Sequence, residues 1–389
     1  MKKNILFIYP EMMMGGSTTS FLNLLYEIDK TKFNVDIAFR KKRGALLTSL
    51  PNDVNVLEEL DVYKSKFFKL IKFIFIKRFY IALLEKFKKN RLLYEQNIAY
   101  CNAKISRKVN KKYDIAISFL EGYANAYVSS NKVSAIKKIC WIHVDYKNAG
   151  YEIKYDKDAL SKVDKIAFVS KACLDNFKKL NTELNENLIV IENIISKKSL
   201  IYKSTEFIVN DMPNQHLDCL KFVTVCRLST NTKGLDRIIN IIRKLKNEDL
   251  NFKWYIIGGD ADEQFIKLYK EFEFKDDLIL LGEKSNPFPY YKFFDALVLA
   301  SRFEGKPMVV GEALALNLPV ITTKYSSASE QINNNINGII VDNDERSLYE
   351  IIYKVINDNK ILKKLKNNLI SETSCVSNNK SQLEKIFDI

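Results

Sequence analysis

The sequence predicts an α/β protein made of two doubly wound parallel domains, and three observations predict it. The chain has 389 residues, more than one hydrophobic core ordinarily serves. Short apolar runs alternate with longer helical patterns, in two series separated by a polar, irregular stretch. Most of the runs are continuous β-branched or aromatic segments without strict alternation, which suits strands covered on both faces.

The first series places strands at 4–9, 35–39, 115–119, 138–142, 165–169 and 188–192. The apolar start could pass for a secretion signal, but Pro10 stops it early and no small-residue cleavage site follows, so a buried first strand is expected. The second series places strands at 221–226, 252–257, 278–281, 296–299, 320–322 and 338–341. The stretch between the series carries Pro213. The expected organisation is an N-terminal domain over 1–200 with a helical insertion near 61–112, a linker over 201–218, a C-terminal domain over 219–372, and a tail over 373–389 that packs back on the N-terminal domain.

With 47% hydrophobic residues, both cores can be filled. Six cysteines without a Cys-x-x-Cys fit reduced thiols in a cytosol, and only two histidines, His143 and His216, argue against zinc. No segment has the uncharged length needed to cross a bilayer. The net charge of +14 calls for an anionic partner or surface.

Residues 63–91 break the alternation. They hold ten basic residues and one acid, Glu85, and Lys66, Lys69 and Lys72 punctuate a run of Phe, Ile and Leu. A basic helix of this composition reads as interfacial, lying on an anionic membrane surface. A helical hairpin packed on the N-terminal sheet with snorkelling lysines fits the same residues.

The chemistry concentrates in four places. Glu304 and Glu312 stand eight residues apart, split by Gly305-Lys306-Pro307-Met308. The first is expected in a loop and the second about two turns into a helix, so that both could grip a polyhydroxylated ligand. Gly15-Gly16 follows the first strand and opens a helix, where backbone N–H groups and the positive end of the dipole suit a phosphate or sugar. Arg227 and Lys233 follow another strand, and two cations at the mouth of a sheet suit a diphosphate leaving group. His143 ends a further strand. Taken singly, each is also compatible with a turn, a solvated charge or a structural histidine.

Together these residues resemble the retaining nucleotide-sugar glycosyltransferases of family 4. The resemblance rests on Arg227…Lys233-Gly234-Leu235, on the Glu304/Glu312 pair and on Asn286-Pro287-Phe288-Pro289-Tyr290. It rests also on Gly15-Gly16, Trp141-Ile142-His143 and Phe168-Val169-Ser170-Lys171. It implies the GT-B architecture, two Rossmann-like domains facing across a cleft. By position it assigns the donor diphosphate to Gly15, Gly16, Arg227 and Lys233. Donor-sugar hydroxyls fall to Glu304 and the backbone of Gly305, Lys306, Pro307 and Met308, and the ribose to Glu312. The nucleobase border falls to Gly282 and Glu283, the vicinity of the reacting sugar to His143, and a helix cap to Ser170. Lys306 and Asn317 depart from the residues usual there.

The function so implied is retaining transfer from a nucleotide sugar, with a UDP-sugar as donor, to a glycan or lipid-linked cell-envelope acceptor. No metal or other cofactor is expected, because fixed cations stabilise the leaving group. Asp260-Ala261-Asp262 is expected to cap a helix rather than to bind a metal. The expected location is the cytoplasmic face of the plasma membrane, and nucleic acid is not an expected partner. A GT-B epimerase and a membrane-associated scaffold remain the alternatives.

Overall fold

The computed structural model describes residues 2–63, 65–180, 182–210, 212–213, 218–371 and 379–387. His216, Cys375 and parts of the expected linker and tail lie outside the described residues. The chain divides into two compact units, one comprising Met1–Ile194 with Lys380–Ile389 and the other Ile195–Asn379.

The first unit is built on seven parallel strands: β1 (Lys3–Tyr9), β2 (Phe33–Phe39), β3 (Asn55–Val56), β4 (Lys112–Ser118), β5 (Ser134–Ile142), β6 (Lys165–Phe168) and β7 (Leu188–Val190). Their order is β3-β2-β1-β4-β5-β6-β7, so the winding reverses at β1, which pairs with β2 on one side and β4 on the other. The helix Gly16–Glu27 buries Phe21 against Phe7 and Tyr9, with ring centroids 5.5 and 4.7 Å apart. The two-residue β3 was not anticipated. It is too short to carry a pattern, and Asn55 Nδ2 donates to Asp36 Oδ1 at 3.0 Å. Ser170 caps the helix Lys171–Lys178, accepting from the Cys173 N–H at 3.1 Å, as its position predicted. Ser170→Ala should lower stability by about 1 kcal/mol in a urea melt.

The insertion forms three helices, Lys66–Phe73, Lys77–Phe87 and Arg91–Ile105. Ile76 is extended and separates the first two. The run Ile74-Phe75-Ile76 favours a break, since β-branched and aromatic side chains lose χ1 freedom in a helix. The third helix docks on the unit through Gln96, whose amide donates to Asp156 Oδ2 at 2.7 Å and to the Tyr146 hydroxyl at 3.1 Å. Arg78 holds the second helix to the third, with Nε donating to Asn97 Oδ1 at 3.0 Å and the guanidinium 4.2 Å over the Tyr100 ring. The C-terminal helix brings Ile386 and Phe387 into the first core, Phe387 lying 4.4 Å from Phe33.

The second unit has six parallel strands: β8 (Leu220–Val225), β9 (Phe252–Ile257), β10 (Leu278–Gly282), β11 (Ala296–Leu299), β12 (Val320–Thr323) and β13 (Gly338–Val341). The order β10-β9-β8-β11-β12-β13 reverses at β8. The helix Leu235–Asn247 buries Ile238, Ile239, Ile241, Ile242 and Leu245 on one face. The helix Lys197–Ser204 spans the expected junction of first domain and linker but belongs to this unit, its Leu200 packed in the second unit's core. Among the described residues, no helix is long and apolar enough to cross a membrane.

Candidate functional site

In an open parallel sheet, ligands bind beyond the carboxyl ends of the strands where the winding reverses, because the flanking loops part there. In the second unit that place is the gap between β8 and β11. The chain leaves β8 through Cys226 and Arg227, makes the short helix Thr230–Lys233, and ends it on Gly234 at φ 66°. A Cβ at Gly234 would lie 2.1 Å from the Ala300 carbonyl oxygen, so only glycine allows the turn to approach the end of β11. Across this contact Lys233 Nζ meets Glu304 Oε1 at 2.6 Å, and Ser301 Oγ donates to the same oxygen at 2.7 Å. Among the described residues no group donates to Glu304 Oε2, which is open to a ligand hydroxyl.

Arg302 locks the frame. Its two Nη atoms donate to the Asp236 carboxylate at 2.9 and 2.6 Å, and Nη1 also donates to the Thr230 carbonyl at 2.7 Å. Asp262 caps the helix Glu263–Lys270 and accepts the Thr230 N–H at 2.7 Å, in line with the capping role expected of it. Burial pushes the Cys226 thiol up to about 12, and the charges acting on it are Lys233, Glu304 and Arg227. These three groups therefore converge around the end of β8. Arg227 is exposed.

Glu312 sits in different surroundings. It is the fifth residue of the helix Met308–Ala315, a little over one turn in rather than the two turns expected. It is only 7% exposed, and burial pushes its carboxyl up to about 7, with Lys203 opposing the shift. Met308 opens this helix after Pro307, whose carbonyl accepts from Gln331 Nε2 at 3.1 Å. Gly305 is buried and Lys306 half-buried beside Glu304. Gly282 ends β10 at φ 72°, and its carbonyl accepts the Gly258 N–H at 2.9 Å. Glu283 is exposed and lies against Gly259 at the sheet's outer edge.

In the first unit the corresponding gap lies between β1 and β4. Gly15, at φ 152° and ψ 163°, starts the helix Gly16–Glu27, which has no side-chain cap. No atom lies within 4 Å of where a Gly15 Cβ would stand, so the helix start is open on that side. Tyr9 steadies this turn, its hydroxyl 3.3 Å from Ser17 Oγ and 3.1 Å from Thr18 Oγ1. His143, after β5, donates its backbone N–H to Glu121 Oε2 at 2.9 Å. Its ring packs on Phe119 at 4.6 Å and Trp141 at 5.6 Å. Burial pushes the imidazole down to about 3, so His143 is neutral at pH 7, and burial also raises the Glu121 carboxyl.

Residues that sequence reasoning missed are Ser301, Arg302, Asp236, Tyr325 and Glu121. Burial and the Glu304 charge both raise the Tyr325 phenol, which places it near the Lys233–Glu304 pair. Only Glu121 left a trace in the sequence, as an acid three residues past a strand and before Gly122 at φ 76°.

Residues 214–372 match the profile of the family described as Glycosyl transferases group 1. The chain is 29% identical over 158 residues to an uncharacterised glycosyltransferase of Methanocaldococcus jannaschii, covering 40% of this chain and 38% of that protein. It is 26% identical over 187 residues to the N-acetylgalactosamine-N,N'-diacetylbacillosaminyl-diphospho-undecaprenol 4-alpha-N-acetylgalactosaminyltransferase of Campylobacter jejuni, covering 46% of this chain and 51% of that one. The chain thus spans about half the length, or less, of these two relatives. In fold it is similar to Anabaena HepE, crystallised with UDP and glucose, with a TM-score of 0.72, 14% identity and coverage of 99% and 98%. The fold is GT-B. Both of its units are Rossmann-like, each with the winding reversal at its first strand.

Proposed function

We propose that the chain moves a sugar from a nucleoside diphosphate sugar, with a UDP-sugar as donor, onto a glycan or lipid-linked acceptor of the cell envelope. Transfer retains the anomeric configuration and uses no metal. The observation that carries this reading is the Lys233–Glu304–Ser301 cluster, with Arg227 beside it, at the switch point of the second sheet. The names of the Campylobacter relative and of the HepE complex support the choice of acceptor and donor classes.

As the bond from C1 to the diphosphate oxygen breaks, negative charge gathers on the leaving phosphate. Arg227 and Lys233 stabilise that charge more than they stabilise the ground state. Glu304 orients the sugar through its free oxygen. The acceptor oxygen attacks C1 on the face the diphosphate leaves, and its proton passes to the departing phosphate oxygen. No side chain need act as base, which agrees with a His143 held neutral and enclosed.

A panel of nucleotide sugars tests the reading, with transfer followed by product NMR. The expected product has the donor's anomeric configuration, and Arg227→Ala lowers kcat, as loss of a contact strongest in the transition state does. An inverted centre would contradict retention. Release of nucleoside diphosphate without acceptor, with an isomerised sugar, would point to an epimerase. Absence of any thermal shift with nucleoside diphosphates would favour a scaffold.

A further inference from the structure

We propose that the helices Lys66–Phe73 and Lys77–Phe87 form a docking face for an anionic lipid bilayer, lying along its surface with their rings at the acyl boundary. The inference goes beyond the reaction and does not depend on it.

On the first helix and the turn after it, Phe67, Phe68, Ile71, Ile74 and Phe75 recur at the spacing of one helical face, and all are exposed, Phe75 at 81%. On the second, Tyr80, Leu84 and Phe87 repeat the pattern, Phe87 at 85%. The inward side is accounted for separately. Phe73 and Phe79 pair at 5.5 Å, Lys69 Nζ meets Asp61 Oδ2 at 2.6 Å, and Arg78 fixes the second helix to the third. Of the outward groups Tyr80 alone reaches inward, with its hydroxyl donating to the Ile74 carbonyl at 2.9 Å and its ring 6.1 Å from Phe79, and most of the outward apolar surface faces solvent. A soluble surface scatters its large apolar groups, and a contiguous set of this kind marks a contact.

Charge selects the occupant. Residues 63–91 carry ten basic residues and one acid, and that acid, Glu85, is buried next to Lys88. Lys66, Lys72, Lys77, Lys86 and Lys89 are exposed around the rings. A second copy of this face would meet its own positive charge, whereas anionic headgroups complement it. The helices have eight and eleven residues, about 12 and 16 Å, so they lie on a bilayer of about 30 Å rather than cross it.

Flotation of the full chain with phosphatidylcholine vesicles, with and without phosphatidylglycerol, tests the proposal and reads no chemistry. The protein should float with the anionic vesicles and much less with the neutral ones, and high salt should weaken the association. Phe67→Ser with Phe68→Ser and Phe75→Ser should reduce binding more than about tenfold. Lys66→Gln with Lys72→Gln and Lys77→Gln should remove most of the preference for anionic lipid. Because Trp141 and Trp254 are buried, Phe75→Trp supplies a local probe whose emission should move to the blue on adding anionic vesicles. A wild-type chain that stays unbound, or an emission that does not move, would overturn the proposal. So would a dimer that the serine substitutions dissociate while vesicles remain unbound, or a DNA shift in place of flotation.

Discussion

Lys233→Ala is expected to slow sugar transfer about 100- to 1,000-fold at saturating donor, with little change in thermal stability. Lys233 Nζ sits 2.6 Å from Glu304, and both side chains keep some contact with solvent, so the pair contributes about 1 kcal/mol or less to the fold. Its worth lies in the transition state. The ammonium is held by Glu304, which Ser301 fixes in turn, so the charge is in place before the leaving phosphate gains its own. Glu304→Ala should cost a similar factor, because the sugar loses an acceptor and Lys233 loses its anchor. The double variant should be hardly slower than either single one, since groups that act as a unit are not additive. Initial rates for the four proteins close the cycle. Undiminished turnover in either single variant would remove both residues from the site, and strict additivity would separate their roles.

Much of this arrangement was legible in the residues, and the parts that were not share a cause. The strands were legible because both faces of each are covered, which leaves continuous runs such as Leu297-Val298-Leu299, all buried. Asp262 and Ser170 announced themselves as caps because a cap is settled within three residues. Asn317, which departs from the residue usual there, ends its helix at φ 58°, a left-handed conformation that asparagine tolerates better than most residues. Lys233 and Glu304 were singled out by the motifs around them, but their contact spans 71 residues and no local pattern encodes it. The same holds for Arg302 with Asp236, 66 residues apart, and for Glu121 under the His143 backbone. The depth of Glu312 was overestimated: two turns would need a helix that starts near Gly305, whereas Pro307 stands at the N-cap and the helix begins only at Met308.

The two sheets show why loops so different in sequence occupy equivalent places. β1 and β8 each have neighbours whose connections leave in opposite directions, which opens a gap at their carboxyl ends. The first unit places there a helix start without a side-chain cap and a neutral, enclosed histidine. The second places there a short helix ending on a left-handed glycine and a lysine held by a glutamate. Topology fixed the location, and side chains fixed what each location can bind.

Glu312→Gln is expected to make the protein more stable at pH 8 and nearly unchanged at pH 4, while weakening its hold on nucleoside diphosphates. The carboxyl is buried, and its pKa rises from 4.5 to about 7. Between those values the folded chain keeps a proton that the unfolded chain has lost, so the wild type loses stability as pH rises through that window and levels off above it. The glutamine variant carries no such penalty, and its advantage should grow to ~3 kcal/mol at most across the window. The ligand responds in the opposite sense. A carboxylate accepts from both ribose hydroxyls better than a protonated acid or an amide does, so wild-type affinity should rise from pH 6 to pH 8 while the variant stays flat. Urea melts at several pH values, with calorimetric titration of UDP at pH 6 and pH 8, read both effects. Parallel stability curves for the two proteins would show that folding leaves the Glu312 carboxyl at its ordinary pKa, and equal UDP affinity would take it out of the binding site.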